Sequence, residues 1–546
     1  MRNLLIIILV GGALTLVAQP EQKGGLQEME IEIVNPLKVT LPRAERNFNK
    51  VPAQPVEAIT PPIEYSYSLL SFSTPAFAPP VRPLRIKPPE TTVQPSNFVS
   101  AGFGNYVSPY LKGYLSFFPA KRSEAGGFSF YHNSFGTGPV DGKNSAGGNS
   151  TLSAHIKTAN NQVATEMMGG YESRSTHFYG YTPEAAVKRD TIKQKYQTFF
   201  LSAKIANAKS QDFSYEFRPS FSYLTDYFSA RESDLSLGLN TNYQMKGKSQ
   251  VVVNASYSLL VRKDTSIEAK ARHLFKITPQ YQFMPIENLV VKVGARIAYE
   301  NDTIGKKNFH VFPAANASYA LGKRASVYAN LSGDVEKVSL HTLSAENIWV
   351  APSIGIYHTN KALDFSGGFE ADLGSGFGFN AGFAFAKLNN FYVFQNSSAD
   401  AAKFNTVYDN IVRSNFFGSF SFDKGNYSFR LKGDYFSYST DTLRAAWHRP
   451  KYKVDSYVVI KAGNKLSIVP RLMVMGGMKA YNWKEQANPV VNIPTAVDLS
   501  ANIEYNFSEK AGAFVRMSNL LNRDYSLYYR YPVRGIQGLV GFTYRF

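Results

Sequence analysis

Val497-Asp498-Leu499-Ser500-Ala501-Asn502-Ile503-Glu504-Tyr505-Asn506-Phe507 alternates apolar and polar residues without an error. Val497, Leu499, Ala501, Ile503, Tyr505 and Phe507 fall on one face; Asp498, Ser500, Asn502, Glu504 and Asn506 fall on the other. Period two is the mark of a strand that is apolar on one face and wetted on the other. A short polar turn, Ser508-Glu509-Lys510, leads into a second strand that ends at Ser518. After a loop, a last strand starts at Gly535 and sets Val540, Phe542, Tyr544 and Phe546 on one side. The chain stops on that aromatic.

Working backward, the same pattern continues to about Val99 and divides into 22 strand-like segments. Short connections carry the residues that tight hairpins need, as in Leu321-Gly322-Lys323, Asp423-Lys424-Gly425 and Gly463-Asn464. Lys209-Ser210 is a further expected tight turn. Long connections, near 135–150, 334–361, 389–406, 439–451, 478–493 and 519–534, fall between them. Counting back in pairs from the last strand puts all six long connections at one end. The pattern predicts an all-β fold, a transmembrane antiparallel β-barrel of about 22 strands with an even strand count.

The N-terminus reads as a cleavable export signal over residues 1–18. Arg2 supplies the charge, Leu4 to Val17 the apolar run, and Ala18 a small residue for cleavage. That run is shorter than the roughly 20 residues a membrane helix requires, and no later stretch is longer. The chain has no cysteine, which excludes a lipoprotein anchor, a disulfide framework and thiolate metal sites. With an export signal in front, the alternating end at Val540, Phe542, Tyr544 and Phe546 is similar to the sorting signal of outer-membrane barrels. The expected location is the outer membrane of a Gram-negative bacterium, with lipid and lipopolysaccharide around the barrel and barrel-assembly machinery as a partner during biogenesis.

Residues 19–96 differ in kind and hold 14 of the 28 prolines. Proline cannot donate to a strand ladder, so an extended, partly polyproline-II extension or linker in the periplasm is expected there. The barrel then occupies 97–546. One β-like run, Glu30-Ile31-Glu32-Ile33-Val34, stands near the start of the extension. A formal charge of +18 has two readings. Lysine and arginine neutralise lipid head groups and cap turns, or a basic lumen draws in anions. Nucleic acid is not needed to explain it.

Several stretches resemble one family. Asn519-Leu520-Leu521-Asn522-Arg523-Asp524-Tyr525, then Tyr531-Pro532, Gly535 and the Tyr544-Arg545-Phe546 ending, resemble the C-terminal region of TonB-dependent receptor barrels. His448-Arg449-Pro450 before Lys453-Val454-Asp455, and Phe312-Pro313-Ala314-Ala315 ahead of Ser318-Tyr319, look like the same family. The likeness is strongest over about 300–546. The family carries a globular plug before the barrel, and residues 19–96 hold too little periodic apolar sequence for one. The chain therefore resembles the plug-less members, and Glu30–Val34 resembles the family's energy-coupling box.

Nothing points to catalysis. The eight histidines form no HxH or HxxxH pair, no G-x-S-x-G elbow occurs, and Gly374-Ser375-Gly376-Phe377-Gly378 lacks the Lys-Ser/Thr of a phosphate loop and reads as a turn. No cofactor or metal is expected. The candidate lumen contacts are Lys292 and Arg296, opposite Val291, Val293 and Ile297, with Lys453, Asp455 and Lys461, opposite Val454, Val458 and Ile460. They line a polar lumen as ligand contacts, or only hydrate it and pair with carboxylates. The aromatic run from Tyr525 to Tyr531 is expected in the outer aromatic girdle, with stacking on a sugar or a partner as the other reading. Two functions follow: a barrel that transports a solute or macromolecule across the outer membrane, or a structural subunit of a secretion, barrel-assembly or surface-lipoprotein machine. In the second, a periplasmic or surface protein plugs the barrel or docks on it.

Overall fold

The computed structural model describes residues 97–117, 124–182, 187–209, 212–485 and 487–546. The export signal, the proline-rich extension with its expected lack of a plug, and the run Glu30–Val34 all lie outside the described residues. So does Ser210 of the expected Lys209-Ser210 turn.

All 22 expected strands form, and each pairs antiparallel with the next in sequence. The ring closes where the first strand, Phe98–Gly104, meets the last, Gln537–Arg545, with Phe98 opposite Arg545 and Gly104 opposite Leu539. The opening stretch of the analysis lies in the strand Ala496–Asn506, and its two faces separate as its alternation requires. Tyr505 faces out and is exposed, whereas Asp498, Ser500, Asn502 and Glu504 are buried on the inner wall. Around the ring the outward positions carry exposed Phe103, Leu152, Phe199, Leu201, Phe309 and Val311. In water such a belt would cost about 25 cal/mol per Å²; in a bilayer it is the lipid face. No helix among the described residues is long and apolar enough to cross a membrane. A closed barrel with an apolar belt and a polar inner wall is the architecture of Gram-negative outer-membrane proteins.

Short turns occupy one end, with the chain terminus beside them. Gly376, at φ +87°, shows why that end is glycine-rich: a Cβ there would lie 1.8 Å from the Asp423 carbonyl oxygen of the neighbouring turn. The Gly374–Gly378 stretch is thus a tight hairpin, as read. The long connections all occur at the other end, with two differences. The strands Phe377–Asn396 and Phe404–Lys424 run on past the expected 376–388 and 407–422, so the connection expected over 389–406 shrinks to 397–403. Phe391, Tyr392, Val393 and Phe394 are all buried, so that hairpin is apolar on both faces and period two disappears from its sequence. The second difference is a helix, Leu340–Glu346, inside the longest connection. Ser339 caps it, its hydroxyl accepting from the Thr342 N–H at 3.0 Å.

Candidate functional site: three loops meeting over the mouth

The connection 337–358 leaves the thirteenth strand, Ala325–Glu336, and returns in the fourteenth, Thr359–Gly374. Between these neighbours it acts as a strap that reaches far from its own wall. On the outgoing arm, Lys337 Nζ donates to Asp234 Oδ2 at 2.6 Å. The Glu232 carboxylate then accepts the Leu340 and His341 N–H groups at 2.7 and 3.0 Å. A buried carboxylate at those first amides satisfies groups that the helix leaves unpaired and complements its dipole. Arg174, on the strand Val163–His177, donates to the Ser344 carbonyl at 2.8 Å, and Glu346 pairs with Arg449. On the returning arm, Arg262 Nη1 donates to the Ile354 carbonyl at 2.6 Å, and Asp264 accepts the Ser353 N–H at 3.0 Å.

The two arms are tied together at their base. Arg272 Nη1 donates to the Val338 carbonyl at 3.0 Å, and Nη2 donates to Asp302 Oδ2 at 2.6 Å and to His358 Nδ1 at 2.9 Å. Asp302 also accepts the His358 N–H at 2.7 Å. Burial, with the neighbouring Arg272 charge, holds the His358 imidazole well below its ordinary pKa. It is therefore the neutral ring, accepting at Nδ1. Burial opposes ionisation of Asp302, but the Arg272 hydrogen bond and the His358 contacts prevail and keep it below the usual carboxylate range.

Where the strap ends its reach, three aromatic rings meet. Trp349 on the strap stacks on Tyr531 at 4.0 Å between centroids, Tyr179 stands edge-on to Tyr531 at 4.7 Å, and Tyr179 and Trp349 are 5.7 Å apart. Tyr179 follows the fifth strand, Trp349 the thirteenth, and Tyr531 the twenty-first, Ala511–Ser518. Those strands stand about a third of the way round the ring from one another, so their loops can meet only over the mouth. Phe178, Leu343, Phe394, Phe404 and Tyr528 extend the cluster, all buried. Each adds roughly 1.5–3 kcal/mol of apolar burial. The long-loop end carries a packed cap.

The family-like motif serves this cap. Asn519, at φ +50°, donates from Nδ2 to the Arg523 and Arg534 carbonyls at 3.0 and 2.9 Å. Leu520 N–H donates to the Leu499 carbonyl at 2.8 Å, and the Tyr525 hydroxyl donates to Asp498 Oδ2 at 2.7 Å. Asn522 Oδ1 accepts the Ile536 N–H at 3.2 Å and would lie 2.8 Å from a Cβ at Gly535. These residues fold the loop so that Tyr528 and Tyr531 reach the centre. The expectation of an outer girdle is corrected here: Tyr525, Tyr528 and Tyr531 are buried in the cap because the loop turns inward.

The five candidate lumen contacts do not come together. Lys292 and Arg296 stand on Leu289–Glu300; Lys453, Asp455 and Lys461 stand seven strands away on Tyr452–Ala462. Arg296 donates to the Gly333 carbonyl at 2.9 Å and lies 3.2 Å from Asp334, while Asp455 pairs with Arg471 at 2.6 Å. Lys292 faces Gln282 and Asn316 across the ladders, Lys453 faces Asp434, and Lys461 faces Ser467. Val540, Phe542, Tyr544 and Phe546 all lie exposed on the outer surface, the last two rings stacked at 5.9 Å. Among the described residues no group of three or more metal-ligating side chains is close enough to hold an ion. The strap was missed in the sequence, although Ile348-Trp349-Val350-Ala351 is a signal. Four apolar residues in a surface connection need a partner.

Under the strap lies a cavity of about 90 Å³. Its walls are the strands Gly147–Ala159 and Val163–His177, the helix, Trp349 and Arg534.

No protein-family model matches the chain, and no curated protein does. Solved structures do. The siderophore receptor PirA of Acinetobacter baumannii aligns at TM-score 0.63 and 11% identity, over 83% of this chain and 80% of that one. The FrpB iron transporter of Neisseria meningitidis gives 0.62 and 10%, over 83% and 81%. The ferric-catecholate import receptor Fiu of Escherichia coli K12 gives 0.61 and 9%, over 83% and 82%. At these identities the likeness is one of fold, and the fold is that of these receptor barrels.

Proposed function

We propose that the chain is a non-enzymatic outer-membrane barrel that transports a solute or macromolecule, with its surface end governed by its own loops. The observation that carries this reading is the meeting of Tyr179, Trp349 and Tyr531. A 22-stranded barrel is wide enough to pass solutes unless something occupies it. Loops from three sides of the wall that pack together over the mouth make passage conditional on moving them. The fold neighbours, named as siderophore receptors and iron transporters, support uptake as the direction. The rest of the reading is of the same kind: residues 1–18 export the chain, residues 19–96 form a periplasmic extension in place of a plug, and Val540, Phe542, Tyr544 and Phe546 address it to the assembly machinery.

The test is planar-bilayer conductance of the full-length protein beside a variant in which a short Gly-Ser linker replaces residues 340–356. Low conductance in the first and high in the second is the expected result. High conductance in both would sink the reading of the cap as a gate. Low conductance in both would place an occupant below the cap and favour the structural-subunit function.

A further inference from the structure

We propose that the outer face of the sixth to ninth strands, at the long-loop end, binds the phosphorylated sugar head of lipid A, the membrane anchor of lipopolysaccharide. The inference goes beyond the transport reading and does not depend on it.

The observation that carries it is a cross-strand pair of like charge. Arg231 opens the eighth strand, Arg231–Gln244, and stands directly opposite Lys263, near the end of the ninth, Gln250–Asp264. Both are exposed. The residues next to them, Glu232 and Asp264, are buried on the inner face, where the strap takes both carboxylates. Like charges directly opposite one another destabilise a ladder, and an anion held between them turns that repulsion into two attractions. Lys193 and Lys195 extend the row on the sixth strand, Lys193–Asn207, where they alternate with the buried, inward Gln194 and Tyr196. Tyr227, exposed beyond the seventh strand, Phe213–Thr225, lies with its ring 5.4 Å from Lys193 Nζ. Neighbouring strands lie roughly 4.8 Å apart, so the three steps from the sixth to the ninth span about 14 Å, the width of a sugar head group rather than of one phosphate. Asp190 and Glu268 are the acidic residues that follow nearest in the adjoining connection and strand, and four cations outnumber them.

What lies below the row decides the kind of anion. Along the same strands, the outward positions toward the belt are Phe199 and Leu201 on the sixth, Phe221 on the seventh, and Leu235 and Leu239 on the eighth, all exposed. A ligand seated here meets cations at its head and hydrocarbon along its length. That fits an acylated phosphosugar and not a free phosphate. The long-loop end of such a barrel faces the cell exterior, so the lipid within reach is that of the outer leaflet. The row is also confined to one sector. On the far side of the ring, near the same end, the outward residues Val454, Val474 and Val497 stand side by side and offer no charge. Basic residues clustered at a membrane surface are what anionic lipid heads bind.

The test is native mass spectrometry of the detergent-solubilised full-length protein titrated with bisphosphorylated lipid A, with its dephosphorylated form and with phosphatidylglycerol. Bisphosphorylated lipid A should be retained, and the other two at least about tenfold less well. The double variant Arg231→Gln, Lys263→Gln should weaken its retention at least about tenfold, as loss of two surface cations implies. The variant Lys246→Gln, Lys248→Gln, in the turn at the opposite end of the same hairpin, should leave it unchanged. Heat-modifiable migration on gels confirms that both variants are folded barrels. Equal retention of the dephosphorylated form, phosphatidylglycerol bound as tightly, or an unaffected Arg231/Lys263 variant would each overturn the proposal. So would an equal loss in the turn variant, or no retention of lipid A at all, as a face covered by a protein subunit would give. The measurement needs no transport, so its outcome is independent of conductance.

Discussion

The smallest unit that decides the cap is the base of the strap, where Arg272, Asp302 and His358 share hydrogen bonds. His358 Nδ1 accepts from Arg272 and also from the Val338 N–H at 3.2 Å, so a proton on that nitrogen breaks both bonds. Its folded pKa is depressed below 6.5, which means that the released strap binds more protons than the docked one as pH falls through that value. Docking is therefore fully favoured above about pH 6.5 and weakens below it. Asp302, also depressed, contributes above its ordinary 3.8, and its contribution is lost as pH falls further. Hydrogen exchange at the Val338 and His358 amides should accelerate, relative to the barrel strands, between pH 7.5 and 5.5. An unchanged ratio would mean that the imidazole does not govern docking. None of this was visible in the sequence, where His358 is one of eight scattered histidines. The neutral ring exists only because residues 272, 302 and 358 are brought together.

At the level of elements, the helix Leu340–Glu346 is too short to persist in water without tertiary support. Its support comes from a different hairpin. Glu232 lies 108 positions before Leu340 and closes the helix's first amides. Glu232→Gln keeps the shape but removes the charge, and should weaken the helix by about 1 kcal/mol, within the range for a charge at a helix N-terminus. Limited proteolysis between 337 and 358 should then be faster, with the barrel core intact. Period two cannot announce such an element, because a strap that packs on a cap has no regular lipid or water face. The same holds for Phe391–Phe394, strand residues buried on both sides and read as a loop. By contrast, Ala496–Asn506 was legible to within two residues, since one of its faces meets lipid and the other meets the polar lumen.

For the whole molecule, the terminal strand joins both halves of the ring. It pairs with Ala511–Ser518 on one side and with Phe98–Gly104 on the other. Deleting Phe546 removes an exposed outer-face aromatic that stacks on Tyr544 and a single seam hydrogen bond, from its N–H to the Asn97 carbonyl at 3.0 Å. Most of the assembled, heat-modifiable barrel should nevertheless be lost from outer-membrane fractions if this end is the assembly address; normal assembly would assign the residue to the lipid belt alone. The strand number, the even count, the closed topology and the side on which the long connections lie were determined by the sequence alone. Each follows from short-range alternation and from turn chemistry, and a sheet with one lipid face admits no other register. The strap, the three-ring contact and the neutral His358 were decided by tertiary structure. Their residues are far apart in the chain and follow no local period, and only closing the ring brings the fifth, thirteenth and twenty-first strands' loops to one point.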